Sequence, residues 1–577
     1  MSNFSVRNGS HFVFPAVNES IDFLMKEEPY YRWILENSDK LDEVMVEALV
    51  SNVKPFGESG QPFMKELTSC LSNSENTEHL ADLAYQLLKK ASVSKPIPYI
   101  KLLKIGYTGD VPNGGFGSPV EAVQAEVNKV KFKNRGLTSK PKGQIEINPN
   151  KFASYVLRRI SMVQLDNGQV FAYSVKGVYT EINDRVLKSI CREILHEAKP
   201  DIWNLKWETE YFAALKREIH IVDGMNPEKG FINLANGMFD LREMELVEHD
   251  PKFLSTIQVP IVYDTNAECP KFIEFLYDVF ENDQERIKLV QELLGYCFIN
   301  EVKIQKAFFF VGPGANGKSV LAEVIRNLVG VQNVSNVALN NLGSSFGMQN
   351  LPDKLVNIFT ENEFDRKFST QNFKIITSGD AVEVNIKYHA PINTVLCAKS
   401  IVLLNRMMVT GDLSNGFFRR ILIVPFNKIY RELKAGQQKE EGISYMDKSL
   451  IDKLLQELPG ILNFALEGLK RLIQNNFNLT ESKACNQAFE EYKGRLNPVG
   501  EYIEEKVYPQ EGQFTLRSEF RRDFLKWAEE NGYDNAKSIN SGNFLDMFKN
   551  SLEIQGVNFS EKKRNGYWYI EGVGIFL

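Results

Sequence analysis

Apolar residues recur at helical spacing through the first hundred residues of the chain. Short apolar turns occupy residues 21–25 and 30–35, and a longer amphipathic segment runs over residues 79–91. Apolar positions three to four residues apart are typical of helices that pack against a small core. We therefore predict a helical accessory domain over residues 1–104.

Glycine, proline and lysine replace this pattern over residues 105–145. Five glycines and two prolines fall within residues 106–119, and six Lys/Arg residues without an acid fall within residues 129–142. Glycine and proline interrupt regular elements, so we predict a linker that is rich in both and basic. Its cations either contact phosphates or form a solvated face, and the sequence leaves both interpretations open.

Strand and helix patterns mix over residues 146–280. Apolar and aromatic residues on both sides of a turn predict a hairpin over residues 169–181, and helical spacing predicts a helix over residues 184–197. We predict a separate α+β domain here.

Two further domains follow. Residues 281–475 alternate apolar strands with helices, as a nucleotide-binding sheet does, and end in a helical lid. Residues 476–577 contain two helices and a hairpin with a turn at Asn565 and Gly566, which predicts a winged-helix-like domain. The predicted fold class is multidomain α/β.

Composition places the chain among globular proteins. It has 577 residues, 43% hydrophobic and 25% charged, which at about 150 residues per domain indicates three to four domains. No apolar run approaches the roughly 20 residues of a membrane span, and the six cysteines form no C-x-x-C pair. We expect a cytoplasmic protein with no membrane segment. The formal net charge of −6 argues mildly against nucleic-acid binding.

One stretch matches a phosphate-binding loop in pattern and in context. It fits G-x-x-x-x-G-K-[ST], follows an apolar strand at residues 307–311 and precedes apolar residues at helical spacing. Backbone N–H groups of such a loop surround phosphates at a helix N-terminus. The lysine reaches the β- and γ-phosphates, and the final hydroxyl binds Mg²⁺. We predict that ATP and Mg²⁺ are bound by Gly312, Pro313, Gly314, Ala315, Asn316, Gly317, Lys318 and Ser319.

A nucleoside triphosphatase also needs a carboxylate at the end of a neighbouring strand. The apolar stretch that starts at Lys354 ends in Glu361 and Glu363. One carboxylate holds the metal and the other orients the attacking water. We favour Glu361 for the metal and Glu363 for the water, although the sequence does not decide which residue does which.

Two later motifs fit the same chemistry. Asn405 follows an apolar strand at residues 400–404, where an amide senses the γ-phosphate or positions water. Arg419 and Arg420 precede another apolar strand. Arginine stabilises the charge of a phosphoryl-transfer transition state, often from a neighbouring subunit. We favour Arg420 for this role, and two solvent-facing cations at a strand start are the alternative.

The order of these motifs resembles that of superfamily 3 helicases. Upstream, residues 233–237 (Asn-Leu-Ala-Asn-Gly) and 249–251 (His-Asp-Pro) resemble the domain before the helicase core in poxvirus, phage and plasmid primase–helicases. The resemblance covers about residues 150–470, and its narrower match is to replication-initiator helicases of staphylococcal pathogenicity islands or phages. It implies an AAA+-like P-loop core behind a pre-helicase domain. Residues 1–150 lack the paired acids of a primase.

The resemblance also implies a homo-hexameric ring around single-stranded DNA, with ATP between subunits. A hairpin before the Asn405 strand would place Lys387, Tyr388 and His389 in the channel. There a cation holds a phosphate and a ring packs on a sugar or base. This hairpin argues against a ring ATPase that remodels proteins.

The implied function is an ATP-dependent DNA helicase and replication initiator of a mobile element or phage. The alternative is an ATP-switched initiator that binds and melts an origin without processive translocation. Host replication proteins are candidate partners in either case.

The C-terminal domain carries a second set of basic residues. These are Arg521, Lys549, Lys562, Lys563 and Arg564. A basic helix and an aromatic wing suit binding of an origin duplex. Residues 510–577 hold nine Lys/Arg and ten Asp/Glu, a net charge of −1, so any DNA face must be separate from an acidic one. A protein-interaction or structural cap is the alternative.

Overall fold

The chain has a multidomain, mixed α/β fold that divides into two compact units. The computed structural model describes residues 21–72, 78–89, 95–111, 117–361, 370–388, 390–408, 410, 412, 414–432, 440, 443–533, 536–537 and 539–576. The first unit comprises Met1–Pro227 and Asp250–Thr256, and the second comprises Glu228–His249 and Ile257–Leu577. Within the described ranges, no helix is both long and apolar enough to cross a membrane.

The N-terminal part of the first unit is helical, as the periodicity predicts. Its core buries aromatic side chains such as Tyr30, Tyr31 and Phe63. The helices are α1 (Ile21–Glu27), α2 (Pro29–Glu36), α3 (Glu43–Val53), α4 (Gln61–Ser72), α5 (Glu78–Lys89), α6 (Tyr99–Leu102) and α7 (Pro119–Asn134).

Helix α7 corrects the linker that the sequence predicts over residues 105–145. Ser118 caps it by accepting a hydrogen bond from the Glu121 N–H at 3.4 Å, and Pro119 occupies its first turn. Its apolar positions, Val120, Val123 and Val127, are buried in the helical core. A prominent lysine face hides this periodicity in the sequence, because only one narrow side of the helix is apolar.

The rest of the first unit is an α+β arrangement. A four-stranded sheet has the order β5-β4-β3-β6, in which β6 is parallel to β3. The predicted hairpin and the predicted helix are confirmed as β4–β5 and α9. The elements are β1 (Leu137–Ser139), β2 (Ile145–Ile147), α8 (Pro149–Arg159), β3 (Met162–Gln164), β4 (Val170–Tyr173), β5 (Tyr179–Ile182), α9 (Asp184–His196), α10 (Leu205–Glu218) and β6 (His220–Ile221).

A five-stranded parallel sheet with the order β11-β12-β15-β10-β16 lies at the centre of the second unit. A small antiparallel sheet, β7-β8-β9, and two helices precede it. These are β7 (Phe231–Leu234), β8 (Gly237–Asp240), β9 (Glu245–Val247), α11 (Pro270–Val279) and α12 (Gln284–Tyr296). The central elements are β10 (Ala307–Val311), α13 (Lys318–Val329), β11 (Val334–Ser335), β12 (Val356–Glu361), α14 (Thr370–Ser378), β13 (Ala381–Val384), β14 (Ile392–Val395), β15 (Lys399–Leu404), α15 (Asn415–Phe418) and β16 (Ile421–Pro425).

Both faces of the central sheet are covered, which explains why its strands are continuous apolar runs. Alternate residues of β10 enter different cores: Phe308 and Phe310 pack in one, and Phe309 packs in the other. The first core contains α11, α12, α13 and α17, and the second contains α14, α15 and α18. The later helices are α16 (Leu450–Leu455), α17 (Leu458–Gln474) and α18 (Lys483–Leu496).

A separate hydrophobic cluster holds the C-terminal part together. Its elements are α19 (Pro498–Lys506), β17 (Val507–Leu516), α20 (Arg517–Glu530), α21 (Ser541–Ile554), β18 (Ser560–Arg564) and β19 (Tyr567–Ile575). The predicted hairpin is confirmed, with Asn565 and Gly566 both at positive φ in its turn. The sequence analysis missed β17, which pairs with β19 and gives the sheet order β17-β19-β18.

Two glycines allow α12 and α17 to pack backbone against backbone. A Cβ at Gly295 would lie 2.3 Å from the Ala465 carbonyl oxygen, and a Cβ at Gly468 would lie 2.3 Å from the Gln291 carbonyl oxygen. Because those atoms belong to helical backbone, neither contact is relieved by rotating a side chain. This close approach fixes the position of α12, which packs beneath the central sheet.

We expect Gly295→Ala to destabilise the second unit by about 1–3 kcal/mol, the usual cost of overpacking a dense core. The midpoint of thermal unfolding measures the effect. Gly542→Ala is a matched control on α21, where the nearest atom to the new Cβ, Asn540 Oδ1, is 3.4 Å away. Equal midpoints for the two variants would contradict the tight helix contact.

Candidate nucleotide-binding site

Parallel pairing brings three sequence motifs to one edge of the central sheet. Val311 pairs with Leu404, and Leu404 pairs with Glu361, so the ends of β10, β15 and β12 lie at the same level. Neighbouring strands are about 4.8 Å apart. Gly312, Asn405 and Glu361 therefore start from adjacent positions at the carboxyl edge, where open α/β sheets bind their ligands.

The loop between β10 and α13 has a backbone that needs its glycines. Gly314 has φ +107° and Gly317 has φ +85°, a region that other residues rarely adopt. A Cβ at Gly312 would lie 2.3 Å from the Phe426 carbonyl oxygen. Nothing lies within 4 Å of a Cβ built at Gly314, so the outer side of the loop is open to a ligand.

Lys318 is held against this loop. Its side chain is buried, and Nζ donates hydrogen bonds to the Gly312 carbonyl oxygen at 2.7 Å and to Asn316 Oδ1 at 2.9 Å. Burial lowers the pKa of Lys318 to about 8. Asn316 in turn donates to the Phe426 carbonyl oxygen at 3.1 Å. The lysine is thus poised at the mouth of the loop with contacts that an anion can replace.

A cavity of about 770 Å³ opens beside the loop. Asn405, Thr360 and most of the loop line one side of it, and residues of α11, α16 and the segment after β16 line the other. Ser319 and Pro313 are exposed. The predicted loop residues and Asn405 are therefore brought together, and the cavity is large enough for a nucleotide-sized ligand.

The far wall of the cavity was missed by the sequence analysis. Tyr430 donates its N–H to the Ala315 carbonyl oxygen at 2.8 Å and its hydroxyl to Asp278 Oδ2 at 2.6 Å. Tyr445 and Met446 also line this wall. These residues follow no motif, and only the fold brings them to the loop.

The two predicted acids are described to different extents. Glu361 is the last residue of β12, at the carboxyl edge of the sheet. Its side chain and the whole of Glu363 lie outside the described residues. Hydroxyl and carboxylate oxygens are the ligands that Mg²⁺ prefers, so Ser319 and Glu361 fit that metal by chemistry and by their shared edge.

Arg420 lies in a different environment from the one its predicted role requires. Its side chain is buried, Nε donates to the Lys374 carbonyl oxygen at 3.2 Å, and Nη1 donates to the Gly416 carbonyl oxygen. Burial, and to a lesser extent Arg419, lowers the pKa of Arg420. Arg419 is exposed and donates to Gln305 Oε1 at 3.3 Å. An arginine that reaches another subunit needs an exposed guanidinium, which Arg419 has.

The predicted hairpin before β15 is confirmed as β13 and β14. Lys387 and Tyr388 lie in the connecting loop, and Tyr388 is 90% exposed at φ +66°. Lys387 Nζ lies 5.1 Å from the centre of the Tyr388 ring. His389 lies outside the described residues. A cation and an aromatic ring thus stand together at the tip of an exposed hairpin.

The predicted basic residues of the C-terminal part separate into two groups. Three have internal partners: Arg521 donates to the Ile539 carbonyl oxygen at 2.8 Å, Lys549 pairs with Glu561 at 3.5 Å, and Lys562 pairs with Glu571 at 2.6 Å. Lys563 and Arg564 are exposed at the hairpin tip.

The hairpin tip also carries an aromatic side chain. Trp568 is 45% exposed, and Lys563 Nζ lies 5.9 Å from the centre of its ring. The basic and aromatic surface is therefore on the hairpin rather than on α21.

Two sequence families match parts of this chain. Residues 179–281 match the family described as "D5 N terminal like", and residues 310–420 match a family of unknown function, DUF5906. The second range runs from the end of β10 to Arg420 and so contains every nucleotide-site motif identified above.

A curated relative is similar to this chain over its central part. A protein of Acanthamoeba polyphaga mimivirus named "Putative helicase L207/L206" is 24% identical over 288 residues, which is 47% of this chain and 30% of that protein. The chain thus spans less than a third of the relative's length.

Two solved structures of the apo C-terminal region of NrS-1 are also similar to this chain. Both are 14% identical, cover 74% of this chain and 100% of the other, and have TM-scores of 0.46 and 0.45.

We expect Arg420→Ala to destabilise the second unit by about 1–3 kcal/mol, because the carbonyl groups of Lys374 and Gly416 lose a buried charged donor. Arg419→Ala is the matched control, and at an exposed position its effect should stay within about 0.5 kcal/mol. Thermal unfolding of both variants measures the difference. An Arg420 variant as stable as wild type would mean that its buried hydrogen bonds do not support the fold.

Proposed function

We propose that this chain is an ATP-dependent DNA helicase of the superfamily 3 type that acts in replication of a phage or mobile element. The observation that carries the proposal is the convergence of loop, acid and asparagine at one sheet edge beside a cavity of about 770 Å³. The similarity to a protein named as a viral helicase supports the helicase assignment. The D5-type match upstream supports a replication primase–helicase class.

Hydrolysis would use groups that already surround the cavity. The phosphates of ATP would accept hydrogen bonds from the loop N–H groups, and Lys318 would exchange its contacts with Gly312 and Asn316 for phosphate oxygens. Mg²⁺, held through Ser319 and Glu361, would neutralise charge on the β- and γ-phosphates. The nearby Glu363 would orient water, and Asn405 would contact the γ-phosphate.

A homo-hexameric ring would complete each site with an arginine from the next subunit. The sequence favours Arg420 for this contact, and the exposure of Arg419 makes that residue the better candidate in the folded chain. The same ring would direct the hairpin of β13 and β14 toward single-stranded DNA in a central channel. Lys387 would then contact a phosphate while Tyr388 packs on a sugar or base.

The C-terminal part would bind the origin duplex through its hairpin. Lys563, Arg564 and Trp568 form a basic and aromatic tip of the kind that a winged helix places on DNA. Helix α21 carries Lys549, which is neutralised by Glu561, so we assign the main contact to the wing. Host replication proteins remain candidate partners of this region.

An ATP-switched initiator that melts an origin without translocation is the second candidate. Both candidates need the nucleotide site and an exposed hairpin. They differ in whether ATP turnover drives displacement of a long strand.

Lys318→Ala tests the nucleotide site. We expect ATP hydrolysis to fall at least about a hundredfold, because removing one charged group that stabilises the transition state typically costs that much. A coupled phosphate-release assay with the full chain measures turnover. Lys288→Ala, which removes an exposed lysine on α12, is the control. Near-normal turnover in the Lys318 variant would refute the site.

Lys387→Ala tests the hairpin. We expect slower strand displacement from a forked duplex and weaker stimulation of ATP hydrolysis by DNA, because a phosphate contact is lost. Lys288→Ala again controls for the loss of one positive charge. Unchanged strand displacement would remove the hairpin from the DNA path. ATP-dependent melting of an origin without displacement of a long forked strand would favour the initiator without translocation.

A further inference from the structure

A basic groove in the first unit is not explained by the proposed helicase. It has a volume of about 950 Å³ and lies among the end of α7, the strands β1 and β2, and the start of α8. Lys129, Lys133 and Lys151 line it. Residues 128–151 contain seven Lys/Arg residues and one acid, a formal net charge of +6 within a chain whose net charge is −6. Such local segregation of charge marks a binding surface for a polyanion.

One cation of this segment has a structural task. Arg135 is fully buried, donates Nε to the Ile194 carbonyl oxygen at 2.6 Å, and pairs with Glu197. It also stacks on Tyr155, at 4.7 Å from the ring centre. These contacts anchor the end of α7, and the remaining lysines stay at the surface.

The floor of the groove is rigid. Gly136 has φ +64°, and a Cβ there would lie 2.7 Å from Cβ of Lys151. The Asn148 N–H donates to the Gly136 carbonyl oxygen at 2.9 Å, and Asn148 caps α8 by accepting from the Lys151 N–H at 3.1 Å. Lys133 on α7 and Lys151 on α8 are therefore held on two elements that are locked together. A groove preorganised in this way loses little conformational entropy on binding.

We propose that this groove binds single-stranded nucleic acid through its phosphates. Besides the lysines, its lining offers Asn128, Asn150 and Thr138, which match base edges and sugars, and the partly buried ring of Phe132. An acidic peptide would use the cations alone. A concave site also admits a flexible single strand more readily than a duplex, whose persistence length is about 50 nm.

The site does not depend on ATP hydrolysis, so its test is separate from that of the proposed function. The test uses the full chain without nucleotide, fluorescein-labelled oligothymidylate, and fluorescence anisotropy over a range of salt concentrations. The variant is Lys133→Glu with Lys151→Glu. Lys101→Glu with Lys104→Glu, at exposed positions of the same unit, is the matched control for charge.

We expect the groove variant to bind the oligonucleotide at least about tenfold more weakly than the control. The slope of log Kobs against log salt should fall by about 1.4, since each phosphate contact to a single strand contributes about 0.7. Equal affinities and slopes for the two variants would overturn the proposal. If the charge reversal unfolds the chain, Lys133→Gln with Lys151→Gln takes its place against the corresponding glutamine control.

Location and ligand class are tested separately. Benzoylphenylalanine at position 128, beside the groove, should cross-link to labelled oligothymidylate, whereas the same group at position 101 should not. Oligouridylate and duplex arms show whether the groove distinguishes DNA from RNA and single strands from duplex. Preferential binding of duplex, or an equal loss of polyglutamate binding in the groove variant, would overturn the assignment to single-stranded nucleic acid.

Discussion

The parallel register of β10, β15 and β12 is the constraint on which the candidate site depends. Parallel strands place their carboxyl ends at one edge, and Val311, Leu404 and Glu361 are paired at the same level. Motifs almost fifty residues apart along the chain therefore start one strand width from each other. A shift of one residue in either pairing would turn the last side chain of a strand to the other face. The apolar residues on both faces of β10 oppose such a shift, because each faces its own core.

Internal pairing of charge explains how an acidic chain presents basic surfaces. Arg135 and Arg159 share Glu197, and Arg471 pairs with the buried Glu292 at 2.7 Å. These arginines connect elements within a unit and contribute little to the outer field, because their charges are neutralised locally. The cations left at the surface are concentrated in the groove of the first unit and at two hairpin tips. Net charge averages over both kinds and therefore says little about where DNA binds.

Local patterns predicted much of the fold and the part of the site that is continuous in sequence. The phosphate loop, the hairpin of β13 and β14, and the turn at Asn565 and Gly566 all rest on short-range rules of spacing and turn chemistry. Helix α7 was missed because its lysine-rich face outweighs three valines in any average over the segment. The sequence also favoured Arg420 over Arg419. Neighbouring residues at the start of a strand have the same local pattern, and only the packed carbonyls of Lys374 and Gly416 distinguish them.

Strand β16 links the two ends of the nucleotide chemistry. Before it stand Arg419 and Arg420, and directly after it Phe426 accepts a hydrogen bond from Asn316 of the loop. Further on, Tyr430 donates to the Ala315 carbonyl oxygen and lines the cavity. A strand fixed in the middle of two cores moves as a rigid body, not by bending. Displacing Lys318 from Asn316 would alter the contact between Asn316 and Phe426, and thus act on the strand that carries the arginine pair. In a ring, one subunit's loop and the arginine it offers to the next site would then share a single rigid connection. This arrangement couples neighbouring sites through β16 without requiring a long path across the fold.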